Sequence, residues 1–557
     1  MRHVFLLSAV ALTSLLVLSS CSQPPAGPPA RQVEALIGAE SLHYALDVSQ
    51  FYTANQGAPV WTGADNRANL MALISAVRNS SAHGLIPDHY HPSILEGAFV
   101  EANSTDTSST LTDAFLTDVY FTLAHHLRYG KVDPLTIEST WSISRPAFNA
   151  PAYLQSALAE ARISESLEAL APEHEEYLRL QEGLAYYSGA GAEGGWSSIN
   201  GGAPLNEALR PGDQGAHVAE LRARLEATGD LTTRHAPSDP QLNDLYTEDL
   251  EVAVRRFQRR AALPADGIVG AETLERLNQS PAERVDQIRA TLERWRWIPT
   301  DLGARHIRVN IASFQLEAWE DGTRIRTHGA IVGRTYRRTP VFSADLQYLI
   351  VNPWWETPYS IAVRDKLPQF RSDPDVIPAM GYEIRDAEDQ IVDSAGIDWD
   401  NVSASQFPYR IRQAPGPLNA LGQIKFIFPN QHNVYIHDTP SRNLFAEGRR
   451  DFSSGCIRIE NPLELADWVL NGAQNWSPKE LRTVTESGAE TRIDLNRSIP
   501  VHILYFTTLV DNQGRLQFLD DIYQRDAAVL AALNAAPGEG AVSGQNVRPG
   551  QIGPEGQ

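Results

Sequence analysis

Asp451-Phe452-Ser453-Ser454-Gly455-Cys456-Ile457-Arg458-Ile459-Glu460-Asn461-Pro462 contains the only cysteine of the chain beyond residue 21. Ile457 and Ile459 alternate with polar neighbours, so a short strand starts at the cysteine. Asn461, Pro462 and Glu464 then supply an N-cap, a first-turn proline and an acid at the positive end of a helix. Gly455 lets the backbone turn tightly ahead of the strand and expose consecutive amides beside Cys456. Upstream, Asn433-Val434-Tyr435-Ile436-His437-Asp438 also alternates, which sets Asn433, Tyr435 and His437 on one strand face. A thiol with a pKa near ~8.5 needs a neighbouring imidazole to act as a nucleophile. Cys456 and His437 are therefore the candidate pair, although from spacing alone a small buried cysteine without chemistry is the stronger reading. Alternation aims Asp438 at the opposite face, so a backbone carbonyl, rather than a third side chain, is expected to orient His437.

Outward from this segment, a two-residue period runs from about Arg305 to Ile522. Ile307, Val309 and Ile311 alternate, and Phe314, Leu316 and Ala318 continue one residue out of phase, which predicts a bulge. Asp321-Gly322 predicts a hairpin turn before a strand near Ile325 to Val332. The stretch 356–412 is more polar and more helical, and reads as an insertion folded over the sheet. Trp354 and Trp355 at its base read as core or hinge packing.

Ahead of the β region lie two helical ones. Residues 41–188 show apolar positions three and four apart; Ala114, Phe115, Val119, Phe121, Leu123 and Leu127 mark one helix that Gly130 and Pro134 end. Residues 189–206 are Gly-rich around Trp196 and read as a linker. Within 207–279, Val218, Leu221 and Leu225 mark one helix and Leu250, Val254 and Phe257 a second. The Pro- and Gly-bearing turn Leu263 to Gly270 precedes a third.

Residues 1–20 combine Arg2, an apolar run from Val4 to Leu18 and two serines, the pattern of a secretory signal too short to span a bilayer. Pro-rich residues follow in a tether over 21–40. The 535–557 tail, rich in Gly, Pro and Gln, is expected to be disordered. The whole chain has 557 residues and a net charge of −21, which argues against nucleic acid or anionic lipid headgroups as the main partner. Two cysteines exclude a disulfide scaffold, a four-cysteine zinc site and an iron–sulfur cluster. His83, His89 and His91 have no HExxH-like helix or cysteine beside them, so no metal and no cofactor is expected.

Several phrases bear a family resemblance. Leu18-Ser19-Ser20-Cys21 resembles a bacterial lipobox, in which Cys21 would be acylated; Ser22 after it resembles lipoproteins sent to the outer membrane. Gly212-Asp213-Gln214-Gly215, Val254-Arg255-Arg256-Phe257-Gln258 and Asp266-Gly267-Ile268-Val269-Gly270 resemble the three-helix peptidoglycan-binding domain. Ser454-Gly455-Cys456 with Arg458 and His437 resembles the L,D-transpeptidase (YkuD) catalytic signature. The commonest form has histidine where Ser454 stands, and Ser-Ser-Gly-Cys is similar to the YcbB-like branch. So are Phe51-Tyr52 followed by Pro59-Val60-Trp61, His83-Gly84-Leu85-Ile86-Pro87, Asn352-Pro353-Trp354-Trp355, Pro415 to Gly422 and His437-Asp438-Thr439-Pro440.

The resemblance implies an α+β multidomain chain. Its parts are a helical scaffold domain, a three-helix peptidoglycan-binding domain and a mainly-β catalytic domain over 300–525, with 356–412 as an inserted capping subdomain. It implies Cys456 as nucleophile, His437 as base, and amides around Ser454, Gly455 and Cys456 as an oxyanion hole. Tyr435 would shape the acyl pocket and Arg458 would meet a carboxylate of the acidic stem peptide. The implied reaction is 3→3 cross-linking with release of D-Ala, in the periplasm of a Gram-negative cell, with the membrane engaged only by the N-terminal lipid. Hydrolysis or D-amino-acid exchange through the same thioester, and a non-catalytic wall-anchoring lipoprotein, remain as alternatives.

Overall fold

The computed structural model describes residues 42–101, 110–232, 242–471 and 476–537, which form two compact units. The expected signal and Cys21 lipidation site lie outside the described residues, as does most of the tail. No helix among the described residues is long and apolar enough to cross a membrane.

The first unit comprises residues up to 74, 93–121 and 149–163. Its core joins Phe51, Trp61 and Leu116. The Asp113 carboxylate accepts the amides of Val60 and Trp61 at 3.0 and 3.1 Å, and the Trp61 indole donates to Thr117 Oγ1 at 2.8 Å. Those bonds pin the Pro59-Val60-Trp61 phrase to a helix. Burial pushes the Asp113 carboxyl up to about 6, with the amide bonds opposing the shift. The expected helix runs Thr110–Tyr129, and Gly130 at φ 87° closes it through its N–H to His126 O.

In the second unit, helices Ala216–Ala227, Glu248–Arg260 and Ala271–Asn278 converge on a core that includes Val218, Leu225, Val254 and Phe257, as the apolar spacing predicts. The preceding helix extends over Glu175–Ala192, through residues expected to open the linker. Beyond it Trp196 donates to Gln279 O at 2.9 Å and lies under the Arg224 guanidinium at 3.9 Å. Packing therefore takes up much of what composition marks as linker, because a large aromatic among glycines still gains by burial.

The β region closes into an eight-stranded barrel. Its strands are β1 Arg305–Asn310, β2 Gln315–Glu320, β3 Thr323–Ile331, β4 Phe342–Val351, β5 Ile424–Ile427, β6 Ile436–His437, β7 Ile457–Ile459 and β8 Thr491–Leu504. The order around the barrel is β1-β8-β4-β5-β6-β7-β3-β2. The phase slip after Ile311 is a turn between antiparallel β1 and β2, with Phe314 at φ 53°, rather than a bulge. The bulge lies further on, between Ala318 and Trp319 opposite β3. Asp321 and Gly322, at φ 46° and 75°, make the expected hairpin turn.

The insertion holds more sheet than its composition suggests. Trp355–Glu356, Arg410–Gln413, Tyr382–Arg385 and Ile391–Val392 form a four-stranded sheet under short helices. Phe370, Ile384, Trp399 and Ile411 give it a core of its own, so it folds as a subdomain rather than as a loop.

Candidate active site

The site is assembled where β6 and β7 run side by side in parallel. Ile436 pairs with Ile457 and His437 with Arg458. Both isoleucines are fully buried in the barrel. The alternate residues Tyr435, His437, Cys456 and Arg458 therefore share the opposite face, where they line one cavity of about 710 Å³. On β5, Lys425 stands opposite His437. The strand is shorter than the alternation of 433–438 suggests: Asn433 has a left-handed backbone (φ 53°) and stays outside the ladder.

His437 Nδ1 donates to the carbonyl of Asp438 at 2.5 Å. A carbonyl can only accept, so the proton sits on Nδ1 and Nε2 keeps its lone pair. The orienting group is a backbone oxygen, as expected. Asp438 is occupied elsewhere: its carboxylate accepts Gln423 N at 2.9 Å and Arg442 Nη2 at 3.1 Å. Gly422 makes room for it, since a Cβ there would come within 2.3 Å of Asp438 Oδ2.

Burial drives His437 down to about 3, and the charges of Arg458 and then Lys425 repel its proton further, against the Asp438 carbonyl. Burial also pushes the Cys456 thiol up, opposed by bonds from Tyr435 and by Arg458. The resting pair is therefore neutral thiol and neutral imidazole, not an ion pair. The Cys456 sulfur contacts Asn433 O at 3.9 Å and the Tyr435 hydroxyl, which also reaches Trp355. No His437–Cys456 hydrogen bond is formed among the described residues; the two are neighbours along one cavity wall that a substrate can draw together.

This geometry sets a pH dependence. A base with a depressed pKa keeps its accepting lone pair as pH falls, so His437 takes a proton only below pH ~5 instead of near the ordinary imidazole value of ~6.5. Arg458→Gln removes a repelling cation and moves that protonation to higher pH. Titration of the His437 ring by NMR from about pH 2 to 8 checks both; a wild-type midpoint near ~6.5 would contradict the geometry.

The turn before Cys456 is braced from several sides. Gly455 has φ 120°, as its role in the turn requires. Its amide, however, donates to Ser453 Oγ at 3.1 Å, and Ser453 Oγ in turn donates to Cys456 O. That occupies one of the three amides expected in the oxyanion hole and leaves those of Ser454 and Cys456. Ser454 Oγ accepts from Arg337 Nη1 at 2.9 Å, and Arg337 pairs through both Nη atoms with Asp365 of the insertion at 2.6 and 3.0 Å. Ser454 thus ties the catalytic turn to the cap. Asn461 occupies the N-cap position of helix Pro462–Leu470 with a left-handed backbone and no side-chain cap bond, a correction to its expected capping role.

The cavity is cationic. Arg334, Arg337, Arg338, Arg364, Lys366 and Arg458 line it against one carboxylate, Asp365. Among the described residues, Arg458 Nε is buried without a hydrogen-bond partner. Such a cation favours an anionic ligand, since an unpaired buried charge is costly. Trp355 is both core of the insertion and part of the cavity wall, so its reading as packing alone is too narrow. Sequence reasoning missed Lys425, whose signal was a lone lysine in the apolar strand 424–427, and Arg337, which no pattern marked. The three histidines first considered for metal include His83, bonded to Tyr177 at 3.0 Å and Glu168 at 3.2 Å, and His89, bonded to Lys131 at 2.7 Å.

Family models match three segments: "Scaffold domain" over 46–184, "Putative peptidoglycan binding domain" over 214–277 and "L,D-transpeptidase catalytic domain" over 304–484. A protein of Haemophilus influenzae described as "Putative L,D-transpeptidase" is 39% identical over 229 residues, 41% of this chain and 46% of its own length. The Mycobacterium tuberculosis protein "N-acetylmuramoyl-L-alanine amidase CwlM" is 39% identical over 77 residues, 13% of this chain and 19% of its own. The chain thus spans less than half the length of either relative. Among solved structures, an L,D-transpeptidase from Xylanimonas cellulosilytica aligns over 54% of this chain and 99% of its own, at 15% identity and a TM-score of 0.18. The barrel that presents Cys456 and His437 thus lies largely within the segment that the L,D-transpeptidase catalytic domain model matches, on one chain with a segment that the peptidoglycan-binding model matches.

Proposed function

We propose that the chain is a cysteine L,D-transpeptidase of the YcbB-like branch that makes 3→3 peptidoglycan cross-links. The observation that carries the proposal is the placement of Cys456 and a base-competent His437 on one wall of a cationic cavity. The Cys456 sulfur attacks the carbonyl between diaminopimelate and D-Ala of a tetrapeptide stem while His437 Nε2 takes the thiol proton. A C–S bond forms, the C–N bond breaks, and the same proton leaves on the D-Ala amine. The amides of Cys456 and Ser454 hold the oxyanion, an interaction whose loss costs about 3 kcal/mol in comparable sites. Arg458 and the arginines of the rim receive the stem carboxylates. The side-chain amine of a second stem then resolves the thioester. As a lipoprotein anchored through Cys21 to the outer membrane, the chain would act in the periplasm.

Purified chain incubated with disaccharide-tetrapeptide is expected to give a dimer lighter than two monomers by one D-Ala. A tripeptide monomer as the main product identifies a hydrolase instead, and unchanged substrate would overturn the proposal.

A further inference from the structure

Three neighbouring strands place the base between two cations. Register sets Lys425 of β5, His437 of β6 and Arg458 of β7 in one row. Cys456 stands two residues before Arg458 on the same face, hence about 6.5 Å away along the strand. A second guanidinium is fixed beside them. Gly333 bridges to Ser453 in the catalytic turn, and the Arg334 amide donates to Ser453 O at 3.0 Å. A Cβ at Gly333 would overlap Arg337 O, so the chain after it folds back too tightly for a side chain there. Arg334 and Arg458 both line the catalytic cavity, close enough for the charge of one to disfavour that of the other.

No acid answers this pair. Asp365, the one carboxylate on the cavity wall among the described residues, is held by both Nη atoms of Arg337. The side chains of Arg334 and Arg458 form no hydrogen bond or ion pair among the described residues, and Arg458 Nε is shut away from solvent. Elsewhere in the chain buried guanidiniums are matched: Arg308 with Glu176 and Glu317, Arg294 with Asp526, Arg525 with Glu138. Two adjacent guanidiniums without a counter-ion repel each other. An anion between them removes the repulsion and satisfies the buried N–H.

We propose that Arg334 and Arg458 seat the free carboxylate of the leaving residue, so that a donor stem must end directly after its scissile bond. The inference rests on the transpeptidase reading and names which carboxylate of the donor the site reads. Covalent geometry places the D-Ala carboxylate about 3–4 Å from the scissile carbonyl carbon. With that carbon at the Cys456 sulfur, the D-Ala carboxylate is the one within reach of Arg458; the stem's other carboxylates sit on longer arms. A further residue after D-Ala would turn the carboxylate into a neutral amide and leave both guanidiniums unanswered.

The carboxylate also acts on the base. His437 is faced by Arg458 from β7, by Lys425 from β5, by the Tyr435 ring, by Cys456 and by the Asp438 carbonyl; Lys425 is itself faced by Glu490 and Glu356. Both cations disfavour an imidazolium, Arg458 more than Lys425, and the bound carboxylate offsets Arg458. His437 Nε2 then holds the thiol proton while the C–S bond forms, and passes it to the amine as the C–N bond breaks. D-Ala departs with its carboxylate, and Arg458 again disfavours a protonated base.

The test compares disaccharide-tetrapeptide with the same molecule amidated at the D-Ala carboxylate, and with one amidated at the diaminopimelate side chain. Full-length Cys456→Ala protein binds all three without turnover. Calorimetry is expected to show the D-Ala amide about 30-fold weaker than the free acid, and the side-chain amide within about 3-fold of it. Arg458→Gln brings the free acid down to the level of the D-Ala amide and leaves the amide where it was. Arg458→Lys, which keeps a charge, and Arg334→Gln, at a half-buried position, each retain part of the difference. In the active chain the same ratio appears in kcat/KM for release of D-Ala against its amide. Free-acid ligand, unlike the D-Ala amide, raises the pH at which the His437 ring titrates by NMR; a titration that the free acid leaves unmoved overturns its action on the base. Equal binding of free acid and D-Ala amide, or an equal loss of every ligand on Arg458→Gln, overturns the seat even where dimer forms. A difference that depends on Arg458 in a chain that makes no dimer keeps the seat and overturns the cross-linking reading.

Discussion

Cys456→Ala is expected to lower D-Ala release by about 10⁴-fold or more, because Cys456 carries the only thiol on the cavity wall. His437→Ala should cost less, about 10²- to 10⁴-fold, since it removes proton transfer but leaves the thiol and the amides. Intact mass separates the cases. Wild-type protein mixed with tetrapeptide should gain the mass of the acyl tripeptide during turnover; the Cys456 variant should gain none. The substitution removes one sulfur from a half-buried position, so the melting curve should barely move. Retention of D-Ala release by the Cys456 variant would contradict a thioester. The resting neutrality of the pair matters here. A half-buried thiol raised in pKa is held mostly as the less reactive neutral form until substrate brings carbonyl, amides and imidazole together, which slows its oxidation.

The second large effect concerns stability. Glu293 and Arg296, on helix Pro281–Trp297, are fully buried and paired at 2.5 Å. Glu293 also accepts Val132 N at 2.7 Å and the Trp297 indole at 3.0 Å. Arg296 donates to His83 O at 2.7 Å and to the Tyr177 hydroxyl at 3.0 Å. The pair is thus bound both within its own helix and to other segments of the same unit, with Arg296 Nε buried and unbonded among the described residues. Glu293→Ala strips the partner from a guanidinium that has no water to turn to, and should destabilise this unit by about 3–5 kcal/mol. Glu293→Gln keeps one accepting oxygen and should cost less. Urea unfolding followed by tryptophan fluorescence measures both, with Trp295 and Trp297 as near reporters. Equal losses for Ala and Gln would show that packing, not the hydrogen-bonded charge, holds the helix.

The sequence by itself determined the three-helix unit, the hairpin at Asp321-Gly322, the helix end at Gly130 and the pairing of Cys456 with His437 as candidates. Each depends on interactions within a few residues, or on an apolar period that a single strand or helix carries along its own length. It also allowed a backbone carbonyl as the orienter of His437, because strand alternation is a local rule. Tertiary structure alone decided the rest. Whether Ile311 led into a bulge or a turn depended on which strand β1 would pair with. Whether the Gly455 amide was free depended on where Ser453 Oγ pointed. The low pKa of His437 arises first from burial and then from Arg458 and Lys425 on two other strands, 21 and 12 positions away in sequence. Arg337 reaches the catalytic turn and Asp365 only because the barrel closes and the insertion folds back over it. Electrostatics act through space and have no period along the chain, so the candidate nucleophile was legible from its neighbours in sequence, whereas the field around it had to await the fold.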